Sequence, residues 1–438
     1  MTVENLRDPG GATPAASAAS STRFGGLDAI RGLAVIAGVV LHASVAYMPS
    51  RMYGLLWPVH DGQTTVICHY LFWWFHAFRL PLFFVISGFI GEMLCESRGV
   101  EAFLKHRFRR IAIPFLVCLV TVMPVTVIIW GTGLCISRRC SLEQAMSMTT
   151  PFDPEVQQNY FGPGHLWFLA DLTIVSLAFA LIRREFSALN GASTPAAFRL
   201  PHRALAPLVF AVPTLLLLWG DISPFISHHN TFVPDIARLS YYGLYFLAGV
   251  IAYRRKEHAL ELLRYPSLHL PLSLLASVAL LVLLPDELAR ESTTVRRFLL
   301  SASVSLVAWL SIFGLIGLAL RYWKTDRPAF RYLADASYWI YIIHLPIVGL
   351  SNIALQQLTI GALAKFFATT LISLTLAVLT YQAFVRYTWI GRGLHGARTR
   401  EAGIGEPACQ SRRHLELRLD RGAPARVVPP DPGERRAA

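Results

Sequence analysis

The chain has little charge, no patterned cysteines and none of the short motifs that announce most soluble enzymes. Of its 438 residues only 15% are charged, while 54% are apolar, too apolar for an ordinary soluble domain with a solvated surface. No Gly-rich phosphate loop, nucleophile elbow or His-Glu-x-x-His is present, which removes P-loop enzymes, α/β-hydrolases and zincins from consideration. The six cysteines are scattered without zinc-site spacing, so no metal is expected. Cys135 and Cys140 share one loop, and a disulfide between them would suit an oxidising compartment. There is no internal repeat, and no matched pair of broken helices of the kind that marks many secondary transporters.

What the chain does have is apolar residues in blocks, at 27–47, 68–92, 111–131, 165–182, 204–219, 238–253, 268–284, 298–320, 333–351 and 363–385. Each approaches or exceeds the length of helix needed to cross a ~30 Å hydrocarbon core. The fold class expected is therefore an all-α membrane protein with about ten transmembrane helices. Lys and Arg concentrate in alternate loops, at 98–110, 183–203, 254–264 and 321–331, while the intervening loops are poorer. By the positive-inside rule the rich loops face the cytoplasm, which places both termini there too. The formal charge of +13 thus reports topology, and no nucleic-acid partner is expected. No cleavable signal peptide is expected ahead of the first block. Residues 1–23 read as a disordered cytoplasmic tail, 24–390 as the membrane domain, and 391–438 as a disordered basic tail attracted to anionic lipid.

Ionisable groups at membrane depth are costly, so each is a functional candidate. In the first block Arg31 and His42 are eleven residues apart, three turns plus about 20°, hence on one face and about 16 Å apart along the axis. Arg31 can snorkel to the headgroups; His42 lies too deep for that, and its structural alternative is a hydrogen bond to a neighbouring helix. In the second block His69 and His76 share a face, and Arg79 follows one turn later, ahead of Pro81. Arg79 needs a polar cavity or an acid, either Asp171 in a purely structural pair or a bound anion. His165 and Trp167 open the fourth block, where Trp is expected at the membrane interface. Asp171 would orient an imidazole or balance Arg79, and His344, mid-span, suits a core hydrogen bond better than catalysis. The run Lys105-His106-Arg107-Phe108-Arg109-Arg110 before Pro114 is a topology signal that would also hold a phosphate-bearing molecule. A basic inner mouth joined to a buried imidazole suits a cytoplasmic phosphate-bearing donor and an acceptor from outside.

Several of these residues resemble the acyltransferase 3 family of membrane acyltransferases. The resemblance lies in Leu27-Asp28-Ala29-Ile30-Arg31 with His42 eleven residues later, and in Phe83-Phe84-Val85-Ile86-Ser87-Gly88-Phe89. It continues in the basic run before Pro114 and in Tyr338-Trp339-Ile340-Tyr341-Ile342-Ile343-His344. His76-Ala77-Phe78-Arg79, His165-Leu166-Trp167-Phe168 and Tyr245-Phe246-Leu247-Ala248-Gly249 are similar to its glucan-biosynthesis branch, inner-membrane enzymes that succinylate osmoregulated periplasmic glucans. The basic run is a departure, lying one residue farther from its Pro than in many members.

The resemblance implies O-acyl transfer in a bacterial inner membrane, from cytoplasmic acyl-CoA (succinyl-CoA or acetyl-CoA, with no tightly bound cofactor) to an extracytoplasmic glucan or other glycan. In that reading His42 is the general base, and Arg31, Arg107, Arg109 and Arg110 hold the donor. Arg79, with His76, stabilises the oxyanion or a succinyl carboxylate, and Asp171, His165, Trp167 and His344 are supporting. Acetylation of another surface polysaccharide or glycoside keeps the chemistry with other substrates. An anionic-solute transporter is the alternative from a different class.

Overall fold

The apolar blocks form helices, and no strand occurs among the residues that the computed structural model describes: 25–50, 54–147, 162–187, 202–220, 230–288, 292–323 and 328–394. A helix meets its backbone hydrogen bonds within its own segment, which is what hydrocarbon demands of a spanning chain. The expected tails at 1–23 and 395–438, the segment 148–161 between the third and fourth blocks, and Cys409 lie outside the described residues. Residues 391–394, assigned to the tail from sequence, are helical.

In chain order the helices begin with α1 (Gly25–Ser44), α2 (Val66–Arg98) and α3 (Val100–Arg107), and a π-helical turn (Phe108–Ala112) leads into α4 (Ile113–Ile136). After α5 (Leu142–Ser147) come α6 (Trp167–Ser187), α7 (Ala206–Gly220), α8 (Ile236–Arg254) and α9 (Lys256–Leu262). The remainder are α10 (Pro266–Leu288), α11 (Thr294–Tyr322), α12 (Pro328–Leu355), α13 (Ala362–Thr380) and α14 (Trp389–Leu394). Local chemistry sets several boundaries. The Thr65 side chain accepts from the Ile67 backbone N–H to start α2, satisfying one of the donors a helix start leaves open. Gly99 ends α2 with φ of 84°, a conformation that a side chain disfavours.

Among the described residues, nine helices are long and apolar enough to cross a membrane. The remaining block, 238–253, also forms a helix, α8, but falls outside that set. Its polarity has a structural reason: Arg238, Tyr241, Tyr242 and Tyr245 all face protein and are buried. α8 packs closely along α2. A Cβ on Gly88 would overlap the Phe246 carbonyl oxygen, and one on Gly249 the Val85 carbonyl oxygen. Two of the quoted motifs are thus a small-residue contact letting two backbones approach, as small residues do between membrane helices.

α1 lies at the centre, packed against α2, α11, α12 and α13. Ala29, Ile30, Ala34, Val39 and Leu41 are buried along it. The apolar surface faces outward elsewhere: Val120 and Ile128 on α4, Leu275 and Val282 on α10, and Phe367 and Leu371 on α13 are exposed, as lipid contact requires.

Candidate functional site

His42 on α1 and His344 on α12 meet at the heart of the bundle, with His42 Nδ1 2.8 Å from His344 Nε2. His344 Nδ1 lies 2.7 Å from the Tyr341 carbonyl oxygen and 3.2 Å from that of Ile340. Carbonyls only accept, so this nitrogen carries a proton. In neutral His344 the Nε2 is then an acceptor, which makes His42 Nδ1 the donor and gives His42 Nε2 the lone pair. The hydrogen-bond network assigns both tautomers.

Aromatic packing holds the pair. His42 stacks on His344 (4.9 Å between centroids, 28° between planes) and on Trp57 (6.0 Å, 16°). The Trp57 indole donates to Asn352 Oδ1 at 3.1 Å, and the loop that carries it is pinned by Lys365 Nζ to Asp61 Oδ2 at 2.7 Å, both buried. His165 stands edge-on to His344 at 5.5 Å, and its Nε2 donates to the Ile342 carbonyl at 2.9 Å. That carbonyl is free to accept because Pro346, four residues on, has no N–H to give it.

Toward the end of the bundle that carries the basic run opens a cavity of about 370 Å³, the size of a small-ligand pocket. Arg31, Arg79, Arg107 and Arg110 line it with two acids, Asp28 and Asp335. Arg31 is 3.3 Å from Asp28, and Arg107 Nη2 donates to the Ser87 carbonyl at 2.9 Å. Arg109 is exposed and does not line the cavity. The basic run meets the membrane through the π turn Phe108–Ala112, where the Ile113 N–H bonds back to the Phe108 carbonyl. Such a turn accommodates one extra residue, which fits the displacement of this run relative to its Pro.

Arg79 is 8% exposed, and its Nε has no hydrogen-bond partner. Among the described residues no carboxylate pairs with it. Its guanidinium lies against Gly38, where a Cβ would stand 2.5 Å from Nη1, one helical turn before His42. His42 itself does not line the cavity; the deep end stops at Arg79 and Tyr341, each about a turn short of the histidine pair.

The expectation for Asp171 is corrected here. Asp171 neither balances Arg79 nor orients an imidazole. It takes a two-point pair from Arg238, Nε to Oδ2 at 2.8 Å and Nη2 to Oδ1 at 3.2 Å, and the Arg238 guanidinium also lies 4.7 Å over the Trp167 ring. Trp167 is thus a stacking partner for Arg238. His76 stacks flat on Phe72 (5.5 Å, 11°) and does not line the cavity with Arg79. Cys135 and Cys140 are both thiols, and no group of three or more potential metal ligands is found among the described residues. Sequence reasoning missed Arg238, Trp57 and Lys365. For Arg238 a signal existed, since Arg238, Tyr241, Tyr242 and Tyr245 recur at helical spacing and make one polar face.

The site is thus a basic cavity within a multi-helical membrane bundle, ending about a turn short of a paired His42 and His344. A family model described as an acyltransferase domain matches residues 24–382, and the chain belongs to the acyltransferase 3 family. It is accordingly a multi-pass membrane acyltransferase, which sets aside the solute-transporter reading. The Glucans biosynthesis protein C of Salmonella typhimurium and that of Salmonella typhi are each 21% identical to it over 378 residues, covering 82% of this chain and 91% of theirs. The same protein from Salmonella schwarzengrund matches to the same extent. No solved structure matches the chain significantly.

Proposed function

We propose that the protein transfers a succinyl group from cytoplasmic succinyl-CoA to a hydroxyl of an extracytoplasmic glucan, within the inner membrane. The observation that carries this reading is Arg79: a buried guanidinium without an acid, at the deep end of a basic cavity and one turn from His42. An unpaired charge at membrane depth costs about 3 kcal/mol or more, and a bound carboxylate offsets that cost where an uncharged acyl group does not. The likeness to the Salmonella glucan proteins supports the acceptor.

In this reading α8 also spans, bringing the number of spans to ten, and the basic end faces the cytoplasm, in keeping with the loop charges. Arg31, Arg107 and Arg110 receive the phosphates of the donor, and its extended pantetheine arm runs along the cavity toward His42. His42 Nε2 takes the proton of the acceptor hydroxyl as the oxygen attacks the thioester carbon. The C–S bond then breaks, and the departing thiolate takes the proton back from His42. A base in this role needs hydrogen-bond reach of the hydroxyl and a lone pair directed at it.

Mass analysis of periplasmic glucans from cells with and without the gene tests the substrates. Loss of a succinyl-sized increment with the gene is the expected result; glucans of unchanged mass would rule the reading out, and loss of an acetyl-sized increment would replace the donor.

A further inference from the structure

We propose that His344 is a positioning residue for the base: its Nε2 holds His42 in the Nδ1–H tautomer and so directs the His42 Nε2 lone pair at the reacting hydroxyl. The inference rests on reading His42 as the general base, and goes beyond it in assigning what directs that imidazole.

The geometry argues for a hydrogen-bonding role and against a relay. His344 Nδ1 is committed to two backbone carbonyls, at 2.7 and 3.2 Å, and a carbonyl cannot take up a proton. Were His344 to accept the Nδ1 proton of His42, it would become a cation with nowhere to pass the charge. The proton from the acceptor hydroxyl therefore stays on His42 Nε2 until the thiolate collects it, and the Nδ1–H never leaves. During that interval the bond from His42 Nδ1–H to His344 Nε2 strengthens, because its donor has become cationic. The same bond fixes the ring about its axis, and a His-directed tautomer is what a neighbouring acceptor normally secures in acyl-transfer sites. His344 is itself held by its own helix, since both of its carbonyl partners lie in the preceding turn of α12. The other titratable and charged groups near it are His165 and Tyr341, whose rings lie 5.5 and 6.1 Å from its own, and Arg79 of α2.

The test crosses two substitutions in the full-length protein. His344→Phe keeps an aromatic ring against His42 and removes the acceptor, whereas His344→Gln keeps an acceptor oxygen and removes the ring. With purified protein and labelled succinyl-CoA, H344F should lose roughly 100-fold in kcat with the donor KM within about twofold of wild type. H344Q should recover at least part of that loss. The acidic limb of the pH profile should move to lower pH in H344F, because the His42 imidazolium has lost its acceptor. If H344F is as active as wild type, or more active than H344Q, His344 only packs and the inference is overturned. Should H344F fail to accumulate, His344→Ala supplied with imidazole and, separately, with benzene makes the same contrast: rescue by imidazole alone supports positioning, while equal or no rescue opposes it. A wild-type protein that transfers no acyl group would instead remove the reading of His42 as base, and the inference with it.

Discussion

Arg238 holds Asp171 in a two-point pair, 2.8 and 3.2 Å, with both side chains buried, so the acid expected from sequence to balance Arg79 is committed to another arginine. Asp171→Asn should strip a buried guanidinium of its paired carboxylate, at a cost of about 3–5 kcal/mol. Thermal melting in detergent is the measurement. A large fall in melting temperature for D171N, mostly restored in Asp171→Leu/Arg238→Met, is expected. Equal melting of D171N and wild type would show the pair to be idle.

For Arg79 the expectation runs the other way. Arg79→Met removes a buried charge without a partner, so stability should hold or rise. Succinyl transfer should fall roughly 100-fold, the scale of losing one positioned charge in an active site, while acetyl transfer falls far less. Parallel assays with the two thioesters decide it. Equal losses would give Arg79 to the oxyanion and take it from the succinyl carboxylate.

Gly38→Ala is a milder probe of the same contact. Alanine in a helix interior is ordinarily favourable by about 1 kcal/mol, so the protein should fold. Its Cβ would stand 2.5 Å from Arg79 Nη1 and displace the guanidinium, and a shift on the order of 1 Å can cost up to about 100-fold in rate. A folded G38A with undiminished kcat would detach this face of α1 from the chemistry.

The basic run divides by position. Arg110 lines the cavity and Arg109 does not, so Arg110→Ala should raise the donor KM about tenfold or more, as expected for a charge meeting phosphate. Arg109→Ala should change it less than about twofold. Donor titrations on the two variants compare them directly, and the opposite order would move the mouth of the cavity.

The helices were legible because their signal is one-dimensional: each apolar block became a helix. Arg31 and His42 were placed on one face by spacing alone, and α1 puts them there. The partners were not legible, because each depends on contacts between distant segments. His344 gave a reason to be a core histidine, and it is one; only the fold shows that its partner is His42, 302 positions away. Asp171 was the acid weighed from sequence as a partner for Arg79, and Arg238 of α8 claims it. Trp57 lay in a loop with no periodicity to mark it, yet it covers the His42 ring. The Gly88 and Gly249 motifs were recognisable as strings, whereas their physical content, two backbones in contact, is a property of the packed pair.

The most direct measurement is acyl transfer by the purified protein in proteoliposomes, with labelled succinyl-CoA, a glucan acceptor, and wild type compared with His42→Ala. Labelled glucan from wild type and a loss of at least about 100-fold in H42A, with both proteins melting alike, is the result expected. Labelling by a folded H42A at the wild-type rate would contradict His42 as the base.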